Sequence, residues 1–217
     1  MSREVATFLA QFSVFFVLVP FVIFIVRYKN INRSQKLLGL LLVFSIITEI
    51  TSFIFGKLEQ NNLFLFHLYT LAESLLIGVL YRKELKSTVG QKTIDGLLIV
   101  FVVFTIFSTV FIEPLDKFNA YVRAVESLLI IFLTIAFFYK IMKEVVIKRL
   151  ERLPLFWMSV GLLIYFSAGL FIFIFSNYIL PSVKLSYTFW GIHAILNIML
   201  NLFYIITLLV SAQKAVA

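Results

Sequence analysis

Seven long apolar segments separated by short polar loops constrain this chain more than any other feature of its sequence. They are predicted to cover residues 5–26, 37–55, 63–80, 97–112, 118–139, 155–180 and 185–210. Most are long enough to cross a hydrocarbon core about 30 Å thick at about 1.5 Å per helical residue. The chain is 62% hydrophobic, whereas soluble domains are roughly 45–50% apolar. The sequence therefore predicts an all-α bundle of seven transmembrane helices, forming one polytopic membrane domain over residues 1–217.

Lysines and arginines fall almost entirely in the loops on one side of these segments. Fourteen follow the first, third and fifth segments or lie in the C-terminal tail: Arg27, Lys29, Arg33, Lys36, Arg82, Lys83, Lys86, Lys92, Lys140, Lys143, Lys148, Arg149, Arg152 and Lys214. The other side has four, which are Arg3, Lys57, Lys117 and Lys184. Since cytoplasmic loops are enriched in basic residues, the N-terminus is predicted to be outside and the C-terminus in the cytoplasm.

This charge distribution also bears on location and partners. Basic loops face the anionic cytoplasmic leaflet of a membrane, which accounts for the net charge of +8 without a nucleic-acid partner. The loops on the predicted outer side are too short to form a binding domain. We therefore expect a multi-pass membrane protein, with the lipid bilayer as its main partner.

The predicted topology has a direct test. A reporter fused after Ala217 should be active only in the cytoplasm, and one inserted after Glu59 only outside, because basic loops resist translocation. Protease accessibility of a C-terminal tag in intact cells measures this. Digestion of that tag by external protease would contradict the predicted orientation.

Composition excludes several kinds of chemistry. The chain has no cysteine, so disulfides, thiolate catalysis and cysteine-ligated metals are ruled out. Two histidines are too few for the three-histidine zinc site of membrane hydrolases, and no lysine lies deep in the seventh segment, where a retinal protein needs one. Phosphate-binding, dinucleotide and kinase motifs are absent as well. No catalytic residue, metal ligand or cofactor is assigned.

Polar residues inside the segments recur at steps of three and four, which places them on one face of each helix. The candidate ligand- or proton-binding residues are Glu49, Tyr69, Glu73, Arg123, Glu126, Trp190, His193, Asn197 and Asn201. In the seventh segment the polar face continues to Tyr204. A charge in mid-membrane costs about 2.5 kcal/mol or more unless it is paired or hydrated. Glu49 and Glu73 are therefore the strongest candidates, because no basic residue lies one helical turn away from either of them on its own helix.

Depth suggests that these residues share one site. Glu49, Glu73, Glu126 and His193 are expected about 12–15 Å below the predicted outer boundary. A polar pocket on the outer side, built from the second, third, fifth and seventh segments, explains this common level. Structural alternatives remain for individual residues: Arg123 and Glu126 can form an ion pair within one helix, and asparagines often bond neighbouring helices.

Smaller signals concern helix geometry and symmetry. Pro20 should kink the first helix, and Ser34 is predicted to cap the second. The second and third segments align faintly with the sixth and seventh, so that Tyr69 and Glu73 fall on His193 and Asn197. This predicts a 3+1+3 repeat of the transporter type, with the fourth segment as a lipid-facing linker.

Four runs of residues carry a family resemblance. They are Leu65–Glu73, Phe156–Trp157, Leu163–Ser167 and Trp190–Asn197. Together they resemble an uncharacterised family of bacterial seven-span membrane proteins, a likeness that implies a fold and a place in the bacterial inner (cytoplasmic) membrane but no activity. The topology is also similar to that of SWEET and PQ-loop transporters, although the Pro-Gln pair of those families is missing.

Three functions fit these features. The first is a small-solute transporter in which Glu49 and Glu73 bind a cationic group or a coupling proton. The second is a membrane sensor or receptor subunit whose basic loops contact a cytoplasmic protein partner. The third is an intramembrane enzyme using acid–base or metal-assisted chemistry. A small-molecule or ionic ligand and a homo-oligomeric state are both compatible with the sequence.

Overall fold

The computed structural model describes residues 1–144, 149–179 and 182–210, and these residues contain helices and no strand. The helices are α1 (Arg3–Phe16), α2 (Leu18–Arg27), α3 (Arg33–Lys57), α4 (Phe64–Glu84), α5 (Gln91–Phe111), α6 (Ala120–Glu144), α7 (Pro154–Ile179) and α8 (Val183–Leu209). Short 3₁₀ turns cover Tyr28–Asn30 and Leu150–Arg152. The first span consists of α1, α2 and the turn after them, and each later helix is one span.

Seven spans are long and apolar enough to cross a membrane, which confirms the predicted all-α, seven-helix fold of a multi-pass membrane protein. Several helices extend beyond the predicted segments, most clearly α5, which begins at Gln91 instead of residue 97. Hydropathy detects only the part of a helix inside the hydrocarbon, whereas backbone hydrogen bonding continues into the polar interface. The membrane orientation stays a prediction, and Lys148, Pro181 and Lys214 lie outside the described residues.

Local chemistry explains two features of the first two spans. The first span is interrupted at Val17, between α1 and α2, because Pro20 has no N–H to donate to the carbonyl of Phe16. The predicted cap at Ser34 is wrong. Asn32 caps α3 instead: its side chain accepts from the backbone N of Gln35, and the Gln35 side chain accepts from the backbone N of Asn32. This reciprocal pair is a capping box, which satisfies two otherwise unpaired donors.

The spans form a ring. α3 packs against α4, α4 against α6, α6 against α7, α7 against α8, and α8 against both α1 and α2. α5 lies outside this ring against α4 and α6, and its exposed residues between Ile99 and Phe111 are apolar, as expected of a lipid-facing helix. The ring closes on one side through α2 and α3, while α1 and α3 make at most slight backbone contact.

The two ends of the bundle differ in packing. We call the end that carries the loops at residues 28–32, 85–90 and 149–153 the basic face, and the other end the opposite face. The fully buried apolar side chains that fill the half near the basic face include Leu38, Leu42, Ile77, Tyr81, Leu85, Ile94, Leu133, Met158 and Leu162. The polar candidate residues lie on the other side of this core, so the packed half closes the bundle toward the basic face.

Candidate functional site

A buried ion network joins α4 to α6. The Arg123 Nη1 atom lies 2.8 Å from Glu73 Oε2 and 2.6 Å from Glu126 Oε2. Ser74 Oγ donates to the other oxygen of Glu126 at 2.8 Å, and Tyr69 OH donates to the other oxygen of Glu73 at 3.1 Å. One guanidinium therefore bridges two carboxylates, each of which also accepts a hydroxyl.

The environment of Arg123 shows whether its ion pair with Glu126 is confined to one helix or is part of a larger site. Its side chain is only 10% exposed, and its guanidinium lies 4.9 Å from the ring centroid of Phe173 and 5.9 Å from that of Tyr69. The ion pair within α6 is present, but Arg123 also pairs with Glu73 and does not extend to the interface. Glu73 has no basic residue one helical turn away on α4, as the sequence indicated, and its basic partner Arg123 comes from α6.

Beside Glu73 lies a small polar cavity of about 40 Å³. We call it the polar cavity, and its polar lining residues are Ser13, Ser45, Glu49, Tyr69, Glu73, Tyr165, Asn197, Asn201 and Tyr204. Asn201 Oδ1 and the Tyr204 hydroxyl are buried, and no described residue bonds to either atom. Unpaired buried polar atoms cost free energy, so this cavity presents both an acceptor and a hydroxyl suited to a polar guest.

A second and larger cavity, of about 620 Å³, opens on the opposite face. We call it the vestibule. It is lined by Leu63, Phe66, Asp116, Lys117, Phe118, Arg123, Phe173, Asn177, Trp190 and His193. Trp190 packs edge-on against Phe118 and His193, with ring centroids 5.5 and 5.4 Å apart. Aromatic side chains thus form much of the wall.

Two contacts separate the vestibule from the polar cavity. In the first, Arg123 lines the vestibule and its partner Glu73 lines the polar cavity. In the second, His193 lines the vestibule and bonds through Nε2 to the hydroxyl of Tyr165, 2.9 Å away in the polar cavity. We call these two contacts the partition. They connect α4 to α6 and α7 to α8.

The single predicted pocket is therefore two compartments. Glu49, Tyr69, Glu73, Asn197 and Asn201 share the polar cavity, whereas Arg123, Trp190 and His193 line the vestibule. Glu126 lines neither, because it is fully buried between Ser74 and Arg123. The predicted set of four spans was also incomplete, since the first and sixth contribute Ser13 and Tyr165.

Sequence reasoning missed the role of Tyr165, although a tyrosine in the middle of an apolar segment is a usable signal: its hydroxyl needs a partner when buried. It also left Glu113 aside. This residue lies between α5 and α6, where Oε2 accepts from the backbone N of Tyr121 and Oε1 from Asn177. Burial raises the pKa of Glu113, although both hydrogen bonds oppose that shift. His67 is buried too, bonded to Thr109 and to the Lys117 carbonyl.

In the part of the chain that the structure describes, no group of three histidine, aspartate or glutamate side chains is placed to hold a metal ion. Comparison with protein-family models, with curated proteins and with solved structures found no match. The family resemblance and the internal repeat stay predictions, and the geometry of the two compartments carries the functional argument.

Proposed function

We propose that this protein is a transporter of protons or small cations, with Glu49 and Glu73 as the binding carboxylates. The observation that carries the proposal is the partition: an open vestibule and a small polar cavity meet at the Arg123–Glu73 and His193–Tyr165 contacts. Breaking these contacts would join the two compartments. A site that can be closed from one side is a requirement of alternating access.

The size and charge of the polar cavity favour this class of solute. A volume of about 40 Å³ holds about three or four waters, so a sugar or a nucleotide does not fit. Glu49 makes no hydrogen bond or ion pair with any described residue, and within the network one arginine faces two glutamates. A proton or a small cation would neutralise the remaining negative charge.

The packed core closes the polar cavity toward the basic face. Between the polar cavity and the basic face lie fully buried apolar side chains such as Leu38, Leu42 and Tyr81. In such a transporter the site would open toward the opposite face after rearrangement of the partition, while the packed core keeps it closed toward the basic face. Transport would require the helices near the basic face to separate in turn.

Gradient-driven flux into proteoliposomes tests the proposal. Wild-type protein should carry protons or a monovalent cation above the rate of empty liposomes. Glu49→Gln and Glu73→Gln should each lower that rate about tenfold, because a hydrogen bond to a charged group contributes about 1.5 kcal/mol or more. Dye-reported pH change or isotope uptake measures the rate.

Glu59→Gln is the matched control, since Glu59 is an exposed glutamate on the opposite face and lines neither compartment. Its flux should equal that of the wild type, and all variants should keep their thermal midpoints. If wild-type protein carries neither protons, sodium nor ammonium, the transporter proposal fails. Cation binding without flux would then support a receptor instead.

A further inference from the structure

An apolar groove leads from the side of the bundle to the polar cavity. α3 is fastened to α8 at the basic face, where Gln35 Nε2 donates to the carbonyl of Thr207 at 2.7 Å. Toward the opposite face α3 makes at most slight backbone contact with α1, and Ile50 and Phe53 are 56% and 63% exposed. The gap between α1 and α3 forms a groove of about 260 Å³.

Glu49 is the only ionisable residue among those that line this groove, whose other walls include Phe15, Leu18, Ile46, Ile50 and Phe53. The same carboxylate lines the polar cavity, as do Val14 and Val17. The groove and the polar cavity therefore adjoin at Glu49. The walls of the groove are apolar and lie on the lipid-facing side of the bundle. The Glu49 carboxylate therefore lies at the junction between an apolar groove and a polar cavity.

We propose that this groove is a lateral entrance for a single-chain amphiphilic amine, whose ammonium group binds Glu49 while its chain occupies the groove. The inference rests on the proposed function and goes beyond it, because it adds a membrane-borne amine to the small cations proposed for the same carboxylate. A soluble cation would need no apolar passage, and an amphiphile without charge would leave Glu49 unpaired.

Charge and hydrogen-bonding capacity support this choice of headgroup. Glu49 has no basic partner among the described residues, and the unbonded Asn201 Oδ1 adds a second acceptor to the same cavity. An ammonium group carries donors only and one positive charge, so it satisfies both. An anionic headgroup would meet two carboxylates, Glu49 and Glu73, and is excluded by repulsion.

The apolar half of the ligand has a matching surface. Ile46 to Phe53 covers about 10 Å of helix length at 1.5 Å per residue, and the side chains on both sides of the groove are aliphatic or aromatic. Burying a methylene group in such a surface is favourable by itself. A chain attached to the amine should therefore raise affinity over that of the bare headgroup.

The test measures saturable binding of radiolabelled n-octylamine to the full chain in nanodiscs, with empty nanodiscs subtracted. Glu49→Gln should weaken binding at least about tenfold, since it removes the ionic contact. Ile50→Trp should do the same by filling the groove. Ile47→Trp is the matched control, because Ile47 is also 56% exposed on α3 but does not line the groove. Ethylamine has the ammonium group without the long chain, and 1-octanol has the long chain without the charge. Both should bind more weakly than n-octylamine.

Loss of binding in Glu49→Gln and Ile50→Trp, with retention in Ile47→Trp, supports the inference. Absence of saturable binding, equal binding of 1-octanol, or unchanged affinity in both groove variants overturns it. The proposed function fails separately. Small-cation flux that persists without octylamine binding contradicts only the lateral entrance, whereas octylamine binding without any flux contradicts only the transporter.

Discussion

Arg123→Met is expected to destabilise the folded protein by about 3–5 kcal/mol, because removing one partner of a buried ion pair leaves uncompensated charge. Here two carboxylates lose their cation at once: Glu73 and Glu126 are 3% and 0% exposed and lie 2.8 and 2.6 Å from the guanidinium. Unfolding in mixed micelles with increasing denaturing detergent measures the free energy difference.

Two further variants make this result specific. The triple variant Arg123→Met, Glu73→Gln, Glu126→Gln should recover most of the stability, since no buried charge then lacks a partner. Arg82→Met removes a comparable arginine from the Arg82–Asp95 pair, whose side chains are 42% and 39% exposed, and should change stability little. A triple variant no more stable than Arg123→Met would show that the guanidinium acts mainly through packing.

Gly161→Leu should destabilise the protein by about 3 kcal/mol, the upper part of the range for overpacking a well-filled interface. A Cβ atom at Gly161 would lie 2.6 Å from the Cβ and 3.0 Å from the Cγ of Phe203. The Cβ atom of Phe203 is fixed by the backbone of α8 and does not move when the side chain rotates, so the helix itself must move. Small residues at such positions allow membrane helices to approach each other closely.

Gly96→Leu is the matched control. A Cβ atom at Gly96 meets nothing within 4 Å, and this glycine is exposed on α5. The substitution should leave thermal stability unchanged or raise it slightly, because leucine favours helix more than glycine does. Equal losses in the two variants would indicate that any leucine in this bundle is disruptive and that the α7–α8 contact has no special role.

Both asparagines of α8, Asn197 and Asn201, line the polar cavity. Asn201 Nδ2 donates to the carbonyl of Asn197 at 2.9 Å, a bond within α8 and not the bond to a neighbouring helix that sequence reasoning had kept open. Its Oδ1 atom, however, has no partner among the described residues. Asn201 thus has one atom engaged within its helix and another facing the polar cavity, so a structural bond and a ligand contact are compatible in the same side chain.

Features that depend on short stretches of chain were predictable. The seven spans follow from runs of apolar residues, and the interruption near Pro20 follows from a missing N–H group. The polar stripe on the seventh span follows from the helical period, which places Asn197 and Asn201 beside the same cavity. The predicted helix ends were less accurate, as α5 shows, because hydropathy reports the hydrocarbon boundary and not the last hydrogen-bonded turn.

The number of spans, their polar faces and the scarcity of charge within them can therefore be read from the sequence alone. Which of these faces meet depends on the folded bundle. Folding pairs Glu73 with Arg123, fifty positions apart, buries Glu126 away from both compartments, and divides one predicted pocket into a vestibule and a polar cavity. Hydropathy and helical period are local properties, whereas partners across a bundle depend on how side chains from distant segments pack around the same space.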